Sequence, residues 1–192
     1  ILKKIKNSKL ILKSSLFLCE DALKKKFEDE GLIGSVEILK KTTRQDFLSH
    51  INTYDKIDLC LDTFPFTGVT TTFEALWKNV PVITKAGYNF NSRCGESILK
   101  NANIENFIAK NNEDYIEKAV YYANNINELD NTRKNLFNKI KEITIISNLE
   151  VSEKKQNVII SKLLLGFKLK SYSFLKYKEN NKINKTTPFE II

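Results

Sequence analysis

Three consecutive threonines, Thr70, Thr71 and Thr72, stand just after a turn containing Pro65 and Gly68, and Glu74 follows them at helical spacing. Hydroxyls gathered where a helix begins are donors suited to an anion, because the first helical turn also leaves backbone N–H groups unpaired and carries the positive end of the helix dipole. A phosphate fits such a place. Glu74, a few residues further in, is placed to accept hydrogen bonds from a neighbouring polyol. A plainer reading uses the same residues: Thr70 as an N-cap and Glu74 as an acid in the first turn, as in any helix. Spacing alone does not separate the two.

The elements that must position these groups are legible as alternating apolar runs and amphipathic stretches. Residues 57–61 form a short apolar run ahead of the Pro/Gly turn, and the helix that follows is expected from Thr70 to about Asn79. Upstream, residues 9–13 and 36–39 read as strands. Residues 16–30 and 44–54 read as helices, the first closed by Gly31 and the second carrying Phe47, Leu48, Ile51 and Tyr54 on one face with His50 near that stripe. Downstream, residues 81–84 begin a fourth strand, with Pro81 tolerable as its first residue. Gly87 ends it, a polar loop leads to a helix over 92–101 with Ser92 as its cap, and 107–109 make a last short strand. Amphipathic helices are expected over 112–126 and 129–143. Strands alternating with helices imply an α/β fold, a Rossmann-like parallel sheet with helices on both faces. Ligands of such sheets lie beyond the carboxyl ends of the strands, which is where the threonines fall. Beyond residue 144 the pattern weakens. A helix over 157–167, a strand over 171–177 and a disordered Lys/Asn tail over 178–187 are the expectations there.

Composition narrows the function classes. A chain of 192 residues with ordinary apolar and charged fractions can bury a single core, so one domain over 1–144 and a Lys/Asn-rich appendage over 145–192 are expected. No apolar run is long enough for a membrane span and no signal-peptide pattern opens the chain, which reads as cytoplasmic. The chain begins with Ile and contains no Met, as expected of a piece of a longer polypeptide. Cys19, Cys60 and Cys94 are odd in number and widely separated, fitting reduced thiols. His50 is the sole histidine, so neither a histidine metal site nor a Ser/His/Asp arrangement with several candidates is supplied, and no metal is expected. The net charge of +8 comes from lysines spread along the chain rather than an arginine-rich stripe. Nucleic acid is therefore not expected as a partner.

Several motifs in order carry a resemblance. The run Asp58-Leu-Cys-Leu-Asp-Thr-Phe-Pro-Phe-Thr-Gly-Val-Thr-Thr-Thr-Phe-Glu-Ala-Leu-Trp77 is followed by Val80-Pro-Val-Ile-Thr84, Gly87, Ser92-Arg-Cys-Gly-Glu-Ser97 and Ile108-Ala-Lys-Asn111. Together they resemble the C-terminal catalytic half-domain of the O-linked N-acetylglucosamine transferase and SPINDLY family. Bacterial members, often fused to tetratricopeptide repeats, are the most similar, and the resemblance covers about residues 8 to 143.

The resemblance implies the GT-B fold, in which two Rossmann-like domains face a cleft and the C-terminal one holds most of a nucleotide-diphosphate sugar. It implies that Thr70 and Thr71 contact the donor diphosphate, that Glu74 binds the ribose hydroxyls and that His50 lies near the nucleotide; for His50 a packing role stays open. Arg93, at a helix start after the fourth strand, is implied near donor phosphate or acceptor, or else is a surface residue. The donor-binding set is thus His50, Gly68, Thr70, Thr71, Thr72, Glu74 and Arg93, with no catalytic base identified. The implied reaction is metal-independent, inverting transfer of a sugar from UDP-N-acetylglucosamine or GDP-fucose to Ser or Thr of a protein acceptor. No further cofactor is implied, the N-terminal half of the same enzyme is the implied partner, and neither nucleic acid nor membrane is. The alternative is a non-catalytic nucleotide- or partner-binding α/β module. This chain departs from the family pattern at Val69, where animal members have a donor-contacting histidine, at Phe47, where a basic residue is usual, and after Ile143, where the expected ending is not recognisable.

Overall fold

The computed structural model describes residues 1–13, 20–39, 47–141 and 189–191. Its strands are β1 (Ser8–Lys13), β2 (Val36–Leu39), β3 (Cys60–Leu61), β4 (Val82–Lys85), β5 (Ile108–Ala109) and β6 (Phe189–Ile191). Its helices are α1 (Glu20–Asp29), α2 (Phe47–Thr53), α3 (Thr70–Trp77), α4 (Phe90–Asn101), α5 (Asn112–Asn124) and α6 (Ile126–Lys141). All the strand pairs are parallel, in two three-stranded ladders ordered β2-β1-β6 and β3-β4-β5. Parallel neighbours require crossover connections, and the helices supply them, so the α/β class read from the alternation holds.

The second ladder is the buried one. In β4, Val82, Ile83 and Thr84 are buried in succession, the continuous pattern of a strand covered on both faces. Around it Leu59, Leu76, Leu99, Phe107, Leu129 and Leu136 are fully enclosed. Phe107 stacks on Tyr122 with ring centroids 4.2 Å apart. At its amino end the sheet is tied to α6 by Arg133, whose guanidinium donates to the carbonyls of Ile57 and Asp58 at 2.8 and 2.9 Å.

Element boundaries differ from the sequence reading for identifiable reasons. Gly31 does end α1, at φ 67°, with Leu32 N–H reaching back to the Phe27 carbonyl at 2.7 Å. Helix α4 starts two residues before Ser92, because Asn89 is the N-cap and Ser92 is the third residue of a reciprocal capping box. Only Cys60–Leu61 of the 57–61 run are in the ladder. The helix expected over 44–54 is described from Phe47 and passes into a 3-10 turn at Tyr54–Lys56. The expectations for 157–167, 171–177 and 178–187 lie outside the described residues. Residues 189–191, read as part of the appendage, pair with β1 in the register Ser8↔Phe189, Lys9↔Glu190 and Leu10↔Ile191.

Candidate functional site

The turn from Asp62 to Gly68 is held from several sides, and this sets where α3 begins. Asp62 Oδ1 accepts the Gly68 N–H at 2.7 Å and Oδ2 accepts the Thr84 hydroxyl at 2.7 Å, while Tyr115 Oη donates to the Asp62 carbonyl at 2.8 Å. Thr67 gives both its N–H and its hydroxyl to the Asn91 carbonyl. Gly68 packs so closely under the helix that an added Cβ would stand 2.5 Å from Thr71 Oγ1 and 2.8 Å from Thr72 Oγ1.

Helix α3 then starts without a side-chain cap. Its N-cap residue is Val69 and Thr70 is the first helical residue, so the reading of Thr70 as an N-cap does not hold. Thr70 and Thr71 are exposed, no acid lies in the first turn, and no side chain caps the N–H groups there, which an anion would require. Thr72 is buried and turns its hydroxyl back to the Gly68 carbonyl at 3.0 Å. Two of the three threonines therefore face outward and the third braces the turn.

One helical turn further, Glu74 is 5% exposed and its Oε2 lies 3.0 Å from His50 Nε2 and 3.3 Å from Tyr54 Oη. Tyr54 Oη also lies 3.4 Å from the Thr71 carbonyl. Burial pushes the Tyr54 phenol far up from its ordinary range, with Cys60 and Glu74 adding to it, so Tyr54 stays a neutral donor. His50 and Tyr54 meet edge to face at 5.8 Å between ring centroids. The pair His50–Glu74 thus joins α2 to α3.

A cleft of about 240 Å³ opens beside this pair, lined by His50, Gly68, Thr71 and Thr72 on one side and by Leu12 and Lys13 of β1 on the other. It lies at the carboxyl ends of β1 and β3, the place where open α/β sheets take ligands. Lys13 brings a cation to it, with Nζ 3.1 Å from Thr53 Oγ1. Arg93 is not brought there. It lies on α4, bonds Glu96 through Nε at 3.0 Å, and lines a second cleft of about 690 Å³ with Val69 and Phe73, on the other side of the α3 start. Among the described residues no group of three or more His, Cys, Asp or Glu side chains is placed to hold a metal ion, and no helix is long and apolar enough to cross a membrane.

Asp62, Thr84, Tyr54, Gly95 and Lys13 support the site but are absent from the set read from sequence. Asp62 had a visible signal, an acid at a strand's end before a Pro/Gly turn; the others acquire their roles through partners 17 or more positions away. Burial holds the Asp62 carboxyl above its ordinary value of 3.8 against the opposing pull of its hydrogen bonds from Gly68 and Thr84. The folded chain therefore binds that proton more tightly than the unfolded one. The associated stability is complete below the unfolded value and is lost as pH rises through the folded value. Asp62→Asn keeps an acceptor for Gly68 N–H and removes the titration. The melting temperature of the wild type relative to this variant should fall as pH is raised through the acid range; a constant difference would show that Asp62 does not titrate differently on folding.

The geometry has counterparts among known proteins. The family model for glycosyl transferase family 41 matches residues 1–154. A probable UDP-N-acetylglucosamine–peptide N-acetylglucosaminyltransferase SPINDLY of Solanum lycopersicum is 34% identical over 147 residues, covering 71% of this chain and 15% of that protein. A UDP-N-acetylglucosamine–peptide N-acetylglucosaminyltransferase of Caenorhabditis elegans is 26% identical over 133 residues, covering 69% of this chain and 11% of its own length. Among solved structures, a mutant O-GlcNAc transferase of Thermobaculum terrenum superposes with a TM-score of 0.64 at 28% identity, over 81% of this chain and 28% of that one. The chain thus spans about a seventh of the length of the SPINDLY relatives.

Proposed function

This chain belongs to glycosyl transferase family 41, and we propose that it forms the nucleotide-sugar-binding half of a cytoplasmic protein O-glycosyltransferase of the GT-B type. The observation that carries this reading is the uncapped start of α3, where Thr71 lines the same cleft as His50 and exposed Thr70 precedes it as the first helical residue. Transfer of a sugar leaves a nucleoside diphosphate whose negative charge grows as the glycosidic bond breaks. Helix N–H groups and threonine hydroxyls stabilise that charge where it develops, and Lys13 adds a cation to the same cleft, so the role needs no metal. Glu74 accepts from the ribose hydroxyls, with His50 beside it. Inversion at the anomeric carbon then requires an acceptor Ser or Thr on the face of the sugar opposite the diphosphate. That acceptor and its base are assigned to the N-terminal half of the enzyme, and this chain alone binds donor weakly without turnover. The donor is UDP-N-acetylglucosamine or GDP-fucose; the names of the SPINDLY relatives favour the former.

Titration of the 192-residue chain with UDP and with GDP tests the reading. A saturating nucleotide at about 100 times its Kd raises stability by about 2.7 kcal/mol, visible as a higher melting temperature. Thr70→Ala and Glu74→Gln are each expected to weaken binding about tenfold, roughly 1.4 kcal/mol, while Glu74→Gln preserves the packing under His50. Equal melting with and without either nucleotide would sink the donor-site reading. A nucleotide-diphosphate sugar bound by the chain but never consumed when the rest of the enzyme and a protein acceptor are supplied would favour the non-catalytic module instead.

A further inference from the structure

Tyr54 stands one helical turn beyond His50, at the start of the 3-10 turn that follows α2, and is 5% exposed. A spacing of four residues puts the two side chains on the same side of that segment, where both meet Glu74. The two contacts fall on one carboxylate oxygen: Oε2 lies 3.0 Å from His50 Nε2 and 3.3 Å from Tyr54 Oη. Among the described residues no donor reaches Oε1, and no buried side-chain oxygen there goes without a partner, so Oε1 is open to solvent. A carboxylate accepts on both oxygens, and two donors on one of them set its rotation and leave the other to a ligand. The phenol also lies 3.4 Å from the Thr71 carbonyl, in the first turn of α3. Both contacts of Oη are long for an O–H···O bond, as when one proton serves two acceptors. A buried hydroxyl needs one acceptor, which the Thr71 carbonyl would supply. Its second acceptor is the side chain that the donor-site reading gives to the ribose.

We propose that Tyr54 is a positioning residue of the nucleoside site: its hydroxyl, together with His50, holds Glu74 Oε2 so that Oε1 is presented to the ribose 2′-hydroxyl, and the site thereby distinguishes a ribonucleotide from a 2′-deoxyribonucleotide. The inference rests on the reading of this cleft as the donor site. Rotation about the last bond of a glutamate side chain is only weakly restricted by the chain itself. Without the phenol Glu74 keeps the His50 contact alone, and the oxygen that meets the 2′-hydroxyl is no longer held in place. Burial raises the Tyr54 phenol far above its ordinary range, so it remains a donor throughout the neutral range.

Titration of the 192-residue chain with UDP and 2′-deoxy-UDP, and with GDP and 2′-deoxy-GDP, tests it. For whichever base binds, the wild type should prefer the ribonucleotide about tenfold, the effect of one hydrogen bond to a charged group. Tyr54→Phe keeps the ring beside His50 and removes one hydroxyl. It should cut the preference to about threefold or less by weakening the ribonucleotide, with the 2′-deoxy analogue held within about twofold of its wild-type affinity. A chain that binds less well only because its fold is weakened loses affinity for both nucleotides alike, so a preserved preference overturns the proposal. In a Glu74→Ala background Tyr54→Phe should add no further loss for the ribonucleotide, and a full additional loss also overturns it. So does a Tyr54→Phe chain without a cooperative melting transition, because the hydroxyl is then required by the fold. If the wild type binds neither UDP nor GDP, the donor-site reading and this inference fall together. If it binds the ribose and 2′-deoxyribose forms equally, the donor site stands and the inference alone fails.

Discussion

Gly95→Ala is expected to destabilise the chain by about 3 kcal/mol, although alanine is the better helix former by about 1 kcal/mol. Gly95 lies inside α4, and an added Cβ would stand 2.4 Å from Thr84 Oγ1 and 2.5 Å from Asp62 Oδ2, with Thr84 Cβ at 3.0 Å. None of these atoms can give way cheaply. Thr84 is fully buried on β4 and its hydroxyl is bound to Asp62, which in turn holds the Gly68 N–H. To admit the methyl group, either α4 lifts off the strand or the Asp62–Thr84 bond breaks and the buried Thr84 hydroxyl and the half-buried Asp62 carboxyl lose a partner. Both routes move the turn that ends at α3, so nucleotide binding should fall along with stability. Thermal and urea melts of Gly95→Ala beside Ser97→Ala, an exposed position on the same helix, provide the measurement. An alanine variant as stable as the wild type would mean that α4 does not depend on this close approach.

The second large effect belongs to Arg133. It is 7% exposed, donates from one guanidinium nitrogen to two main-chain carbonyls at the entry to β3, and has the Asp58 carboxylate 4.0 Å away. Arg133→Met removes that donor from both carbonyls and a cation from beside Asp58, with an expected cost of about 3 kcal/mol. Arg133→Lys keeps the charge but ends in a shorter, more strongly hydrated ammonium in place of the rigid guanidinium whose one nitrogen reaches both carbonyls, so an intermediate loss is expected. Chemical denaturation with the slope monitored distinguishes a weakened fold from a changed unfolded state. A loss below about 0.5 kcal/mol, the range of ordinary surface substitutions, would show that water replaces the guanidinium.

Local signals made most of the fold readable. The short apolar runs at β1 to β5 and the helical stripes of α5 and α6 are period and composition effects, carried by neighbouring residues and so visible in one dimension. Gly31 was readable as a helix stop for the same reason. Cap positions were less accessible. Asn89 and Ser92 are both good capping types three apart, and only the reciprocal hydrogen bonds show which is the cap and which the third residue.

The candidate site divides along the same line. Sequence by itself determined that a turn with Gly68 leads into a threonine-rich helix start, that Glu74 follows on that helix and that His50 is the sole histidine, because these depend on residue type and spacing. Only the tertiary structure decided that His50 and Glu74 face each other across 24 positions of chain, that Arg93 lies on the far side of the α3 start, and that β6 returns to β1. Such pairings follow from how helices cross over a parallel sheet, and the crossover brings together residues whose separation in sequence carries no period. The tertiary structure also turned Thr72 inward and Thr70 and Thr71 outward, since a helix advances about 100° per residue and only its docked face is fixed by the core. The run of three threonines is thereby resolved into two exposed groups and one that holds the turn in place.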